Sequence, residues 1–435
     1  MTHDPVTTAP LALSEPAGRP DRRRHYYLAL FVACFAVLTV DRSIVSILLE
    51  PIKAEFHLSD TQLGFMTGIG FAICFGLAGI PLGRLADHVE RRKVLAPCIA
   101  FFSLMTVASG LAVSFPLLLL TRFLVGAGEA GGQPAIVSML SDLFPGRQRA
   151  TAMGIYYLGV PIGSLVIFLA GAPFVAAYGW RAAFYLASVP GLLIAFLVWT
   201  TLKEPVRGAS GRIGRVAEEP PSWKASFGYF WTTRSVRHIM IAGAVMSIAS
   251  AGIVSWIVSF MIRSHGLALS HAGILIVIGY VLPTALGAPL GGLIVDRLAR
   301  SGVEWRAIVP GIALIATVPI ITAVLLTPSL ILCVTLLALW GLFNAMPYGS
   351  MLAALQAQVP LRLRGLVVST YYSLTYVVGV GLGPQFVGLF SDWLKPVLGQ
   401  YSLAWGMVVV GATSGWAGIH LLLASRTLRA EQVEA

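Results

Sequence analysis

Charge is what this sequence has least of. Asp, Glu, Lys and Arg make up 11% of it, against about 25% in an average soluble domain. A surface so poor in charge cannot face water on every side, so the surrounding solvent is lipid. A hydrophobic content of 57% and a mean hydropathy of +0.82 point the same way. Cysteine is scarce too. Cys34, Cys74, Cys98 and Cys333 all fall inside apolar stretches with no paired loop spacing. That excludes a disulfide framework and a thiolate metal site, and leaves four small buried hydrophobes. Catalytic signatures are missing as well. There is no His-x-x-x-His spacing, no histidine mid-span beside a carboxylate or serine nucleophile, and no Gly-x-x-x-x-Gly-Lys-Ser/Thr loop. These absences argue against a metal centre, a membrane-bound lipid-modifying enzyme and an ATP-driven pump, and no cofactor is expected. Residues 1–20 lack the long apolar core of a cleavable signal.

What is present is a run of apolar stretches, each near the roughly 20 residues that a spanning helix needs. Twelve can be marked. Six run over 26–49, 61–84, 94–113, 116–143, 150–172 and 182–202; six more over 238–262, 271–295, 307–326, 329–357, 365–388 and 403–425. The expected fold is an all-α membrane protein of twelve transmembrane helices in two pseudo-symmetric six-helix bundles, 26–202 and 238–425. A cytosolic N-terminal tail covers 1–25, a polar cytoplasmic linker carrying Pro220-Pro221 covers 203–237, and a C-terminal tail covers 426–435. With the N-terminus placed in the cytoplasm, cytoplasmic segments hold 24 of the 30 basic residues. That bias sets the orientation, with both termini cytoplasmic in a multi-pass protein of the inner (cell) membrane. It also accounts for the net charge of +11: the basic excess faces anionic headgroups, and nucleic acid is not expected as a partner.

The halves repeat. Gly79-Ile80-Pro81-Leu82-Gly83 in span 2 returns as Gly287-Ala288-Pro289-Leu290-Gly291 in span 8, each followed by an aspartate, Asp87 or Asp296. Pro145-Gly146-Arg147-Gln148-Arg149 returns as Pro360-Leu361-Arg362-Leu363-Arg364, and Tyr156-Tyr157 as Tyr371-Tyr372 at the same offset. Parallel repeats of this kind place a cavity between two halves.

Span 2 ends in Gly83-Arg84-Leu85-Ala86-Asp87-His88-Val89-Glu90-Arg91-Arg92-Lys93. A glycine there lets helices approach closely, and Asp87 can accept from helix N-termini or from arginines such as Arg149. Gly83, Asp87, Arg91, Arg92, Arg149 and Asp296 are therefore the expected cytoplasmic gate. The stretch resembles the Gly-x-Leu-Ala-Asp-Arg-x-Gly-Arg-Arg signature of the major facilitator superfamily, departing from it at His88 and Glu90.

Of the 30 basic and 19 acidic residues, four lie within the apolar spans away from their ends: Asp41, Arg42, Arg122 and Glu129. Charge in a bilayer is costly, and where it persists it is usually functional. From the helix rise, Asp41 sits roughly 22 Å up span 1 and Arg122 about 9 Å down span 4, which puts them level in a core of about 30 Å. An Asp41–Arg122 pair is thus expected. Glu129 lies about 10 Å deeper on nearly the same face, and Gln133 continues it. Asp41 and Glu129 are candidates for proton exchange. Arg42 and Arg122 are permanent cations suited to an anionic substrate. A static brace between spans 1 and 4 is the competing reading. The second half offers neutral groups instead. Asn344 stands where the repeat offset puts Glu129, among Tyr280, Tyr348, Tyr371, Tyr372, Tyr376, Gln356 and Trp256. The substrate-binding set is taken as Arg42, Arg122, Glu129, Gln133, Tyr156, Asn344, Tyr348 and Tyr372.

Asp41-Arg42, then Leu48-Leu49-Glu50-Pro51-Ile52-Lys53, Leu58-Ser59-Asp60-Thr61-Gln62-Leu63-Gly64, Arg122-Phe123-Leu124-Val125-Gly126-Ala127-Gly128-Glu129-Ala130 and Ser141-Asp142-Leu143-Phe144-Pro145 together resemble the spinster family. The resemblance spans the chain, and the compact loops suggest a bacterial member. It implies flux of amphiphilic lipids such as sphingosine 1-phosphate or lysophospholipids, with proton coupling. By position, Asp41 and Glu129 would be protonatable, and Arg42 and Arg122 would meet an anionic headgroup. Gly159-Val160-Pro161-Ile162-Gly163 in span 5 partly resembles the antiport motif of drug–proton exchangers, although Pro and Gly also mark bends and close packing. The expected function is a monomeric, proton-linked carrier of an amphiphilic or organic anion, working by alternating access. A drug or small-anion antiporter or facilitator, and a membrane sensor of the same fold, are the alternatives.

Overall fold

In hydrocarbon every backbone N–H and C=O must find a partner within the protein, so a chain this apolar is driven into helices. The computed structural model describes residues 23–144, 146–206 and 223–431, and among these it contains helices and no strand. The helices are α1 (Arg24–Phe56), α2 (Asp60–Thr67), α3 (Ile69–His88), α4 (Arg91–Gly110), α5 (Phe115–Glu129), α6 (Gly132–Leu143), α7 (Gly146–Tyr157), α8 (Gly159–Val166) and α9 (Ala172–Thr201) in the first half. A short α10 (Trp223–Thr232) precedes the second half, which comprises α11 (Arg234–His265), α12 (Leu269–Ile276), α13 (Leu282–Leu298), α14 (Trp305–Leu326), α15 (Leu330–Ala345), α16 (Pro347–Ala357), α17 (Leu361–Leu398), α18 (Ser402–Gly411) and α19 (Thr413–Ser425).

Nine stretches of the described residues are long and apolar enough to cross a bilayer. Two of them, Thr151–Thr201 and Leu366–Ser425, have 51 and 60 residues, enough for two crossings each at 1.5 Å per residue. Each contains a glycine with positive φ that reverses the chain, Gly179 at +82° and Gly399 at +53°, a conformation that a side chain would resist. The broken pair α5–α6 adds one more crossing, in keeping with the twelve expected.

Several spans are interrupted where the sequence suggests continuous helices. π-Helical turns at Ile167–Gly171 and Val277–Val281 join α8 to α9 and α12 to α13. α5 stops at Glu129 and α6 restarts at Gly132, within a glycine-rich stretch that holds helix weakly. The motif in α8 has a packing role. A Cβ on Gly159 would lie 2.7 Å from the Val32 carbonyl oxygen, and one on Gly163 would lie 2.5 Å from that of Ala36. These glycines lay α8 directly on α1.

The end of the bundle where the chain enters and leaves is called the tail end here, and the opposite one the far end. At the far end one apolar cluster runs through both halves, with Ile44, Leu48 and Phe184 packed with Trp256, Trp340 and Val387. Toward the tail end the core divides into one cluster around Phe31, Met139 and Val198 and another around Ile239, Leu314 and Leu421. The C-terminal segment is tied down: Glu431 accepts from the backbone N–H groups of Arg234 (3.1 Å) and Ser235 (2.8 Å), capping α11.

Candidate functional site

Neighbouring residues on a helix point about 100° apart, and Asp41 and Arg42 accordingly reach different partners. Arg122 Nη2 donates to Asp41 Oδ2 at 3.0 Å and approaches the Asp41 carbonyl at 3.4 Å. Thr106 on α4 donates to Asp41 Oδ1. Arg42 Nε donates to Glu129 Oε2 at 2.6 Å. Asp41, Arg122 and Glu129 are buried, whereas the Arg42 side chain keeps 24% of its exposure. Two ion pairs, one for each end of the two-turn step from Arg122 to Glu129, therefore join spans 1 and 4.

The two pairs are not equivalent. Both Asp41 oxygens are occupied. Glu129 Oε1, Arg42 Nη2 and Arg122 Nη1 are buried without a hydrogen-bond partner in the protein. Glu129 lines a narrow gap inside the first half, of about 10 Å³, together with Gln133, Tyr156, Cys34 and Phe35. Tyr156 belongs to the packing there, stacked on Phe35 with ring centroids 4.7 Å apart.

From the second half, the contact to this group is made by Tyr376, which the sequence places in the aromatic wall without singling it out for binding. Its ring lies 4.8 Å from the Arg42 guanidinium and 4.4 Å from the ring of Phe75, and Phe75 lies 5.7 Å from the same guanidinium. A cation set beside two aromatic rings that pack together is stabilised by their quadrupoles. Tyr372, 44% exposed, lies near Tyr157, which in turn lies near Gln133. Asn344 and Tyr348 stand apart from the charges. Asn344 Nδ2 donates to Ser250 Oγ at 3.1 Å, and Tyr348 meets the same hydroxyl at 3.4 Å.

Two residues expected at the cytoplasmic gate, Arg91 and Arg92, turn to their own half in this arrangement. Arg91 is buried and donates to Asp142 (2.6 Å), Glu204 (2.7 Å) and Ser138 (2.8 Å), and Arg92 donates to the Leu202 carbonyl, all within the first half. These bonds brace one bundle and do not latch two. A Cβ on Gly83 would meet nothing within 4 Å, so this glycine makes no close approach in this arrangement, where the tail-end cores lie apart. Arg149 donates to the Ser141 carbonyl at 3.0 Å, and Asp296 is exposed. The Asp87 side chain lies outside the described residues. Glu90 is paired at the surface, and the hydrogen bond from Lys93 holds its carboxyl below the usual carboxylate range.

An ion-pair bridge between the halves stands at the far end, which the sequence reading left unassigned. Arg263 of α11 donates to Asp60 at 2.7 and 2.9 Å and to Glu50 at 2.9 Å. A signal for it was available. Lys53 and Arg263 are among the few basic residues on the side depleted of positive charge, where an isolated cation calls for a partner.

Comparison with known proteins agrees with this geometry. The crystal structure of a bacterial homologue of the human lysosomal transporter spinster, in an inward-facing and unoccupied conformation, superposes with a TM-score of 0.86 at 28% identity, covering 95% of this chain and 99% of that one. An MFS-type efflux pump of Mycolicibacterium smegmatis is 28% identical across 97% of both chains. A sphingosine-1-phosphate transporter of Danio rerio is 28% identical over 52% of this chain and 45% of its own length. The Major Facilitator Superfamily model matches residues 30–384. Two helical bundles around buried charges, a far end closed across the halves and a matching family model lead to one statement: this multi-pass membrane protein belongs to the major facilitator superfamily and resembles its spinster branch.

Proposed function

We propose that the protein is a proton-linked carrier that moves an amphiphilic or organic anion by alternating access, with the tail end in the cytoplasm as its basic residues suggest. One observation carries this reading: Glu129 Oε1 and Arg42 Nη2 are buried without partners in the protein, in a segment where unpaired polar groups are costly. A structural brace has no need of spare valences. Protonation of Glu129 would release Arg42, and the freed guanidinium, still carried on Tyr376 and Phe75, would turn its bidentate face to a carboxylate or phosphate. Asp41, with both oxygens held, would fix Arg122 and keep α5 in register, exchanging a proton only when the pair parts. Tyr372 and the Asn344–Ser250–Tyr348 group would form the neutral wall for the apolar part of the substrate. The similarity to a sphingosine-1-phosphate transporter supports a lipid-like substrate. The near full-length similarity to an efflux pump supports a second reading, export of small organic molecules through the same cavity.

The test is flux in proteoliposomes under an imposed pH gradient, with a fluorescent lysophospholipid as probe. Glu129→Gln is expected to abolish gradient-driven flux while folding is retained. Unchanged gradient dependence in the variant would remove Glu129 from coupling. Absence of flux in the parent protein would turn the search to small organic anions.

A further inference from the structure

The far-end contact is more than an ion pair. Asp60 opens α2, and its carboxylate, buried to within 2% of full enclosure, is shared between the halves. Arg263 Nη1 and Nη2 donate to its two oxygens, Ser391 Oγ donates to Oδ2 at 2.7 Å, and Lys53 donates from its own half. The start of α2 is capped twice. Ser59 accepts from the Gln62 N–H within a capping box. The other cap is Asp392, from α17 in the opposite half: its Oδ1 accepts from the Asp60 N–H at 3.2 Å, and its Oδ2 from the N–H and hydroxyl of Thr61, both at 2.7 Å. The first N–H groups of a helix have no intrahelical acceptor, and a carboxylate there is favoured by the helix dipole. Small residues bring the backbones close enough for this. A Cβ on Gly388 would lie 2.2 Å from the Asp60 carbonyl oxygen, and one on Gly64 would lie 2.7 Å from that of Pro384.

We propose that Asp392 and Arg263 form a two-point clasp on α2 which sets the balance between the state closed at the far end and the state open there, Asp392 by capping the helix from across the interface and Arg263 by holding Asp60. This rests on the alternating-access reading and adds to it the residues that hold one of its two states. The chemistry suits a reversible device. When the far end parts, water replaces Asp392 at the α2 N–H groups and rehydrates Asp60, so the exchange runs near balance. A purely apolar seal offers no such replacement.

The halves also differ in which residues cross. Lys53 ties Asp60 only to its own half, and Arg263 ties it to the other. That difference makes the clasp testable without a substrate or a pH gradient. Val113 and Val397 are 81% and 82% exposed, on opposite halves at the far end. Spin labels there, on full-length protein in nanodiscs with the four native cysteines replaced by serine, read the far-end separation. A second label pair at Leu85 and Arg300, exposed at the tail end, reads the other side. Asp392→Ala and Arg263→Gln are expected to add a longer far-end distance population, raising the open-to-closed ratio about tenfold. Asp392→Asn, which keeps one acceptor for the cap, should lie between Ala and the parent, and Lys53→Met should match the parent. An unchanged distribution in Asp392→Ala overturns the proposal. So does Lys53→Met opening the far end as widely as Arg263→Gln. If the far end opens while the tail-end pair stays fixed, the clasp stands and the rocking reading fails.

Discussion

The two ends of this bundle are built from the same apolar vocabulary and behave differently. At the far end a continuous core crosses from Ile44 and Phe184 to Trp256 and Val387. At the tail end each half keeps its own core, and half-buried Tyr376 and Val380 are the points where the second half touches the cluster of the first. Apolar character alone cannot explain this, because lipid tails solvate leucine as well as another helix does. What distinguishes the far end is polar. Arg263 and Asp392 spend their hydrogen bonds across the interface, whereas Arg91 at the tail end spends its bonds inside one bundle. A charge seals two halves only if its partner is on the other one.

That contrast can be broken or sharpened by substitution. The largest expected effect is at the tail end. Arg91→Ala takes the buried guanidinium away from Asp142 and Glu204, and losing one partner of a buried pair costs about 3–5 kcal/mol. Thermal unfolding should show that loss, while the far-end label distance stays at the parent value; a shift there would mean that the network couples the halves after all. Next comes Gly388→Ala, where the new methyl group would press on the Asp60 carbonyl. Overpacking of this kind costs about 1–3 kcal/mol, and it should appear as a wider far-end distance distribution, with an unaltered one implying that α17 can yield locally. The smallest effect is expected for Gly83→Ala, which meets open space. A helical glycine replaced without strain changes stability by about 0.4–1 kcal/mol in the favourable direction. A melting temperature that falls instead would show that the tail ends come close enough to need this glycine in another state.

Much of the architecture was legible before any coordinates. The apolar stretches and the repeat of Gly79-Ile80-Pro81-Leu82-Gly83 correspond to helices of the structure. Boundaries were less so. Span 11 reads as 365–388 from hydropathy, yet α17 runs from Leu361 to Leu398, because hydropathy measures the thickness of the lipid and the helix continues past it. The Asp41–Arg122 pair was readable from depth along two helices. The partner of Arg42 was not, since Asp41 and Arg42 could each have turned to either charge on span 4. Tyr376 was one aromatic among several until its ring was placed over the guanidinium.

The sequence by itself determined that this chain lives in lipid, that it is a tandem of two similar halves and that four charges sit well inside the spans of the first of them. Those properties follow from composition and period, which every residue carries with it wherever it lies. Which carboxylate meets which arginine, that Asp392 caps a helix more than 300 residues earlier in the chain, and which end of the bundle is shut were decided only by the tertiary structure. Each depends on the angle at which separate helices cross and on atoms meeting within about 3 Å, and no local pattern in the chain encodes that meeting.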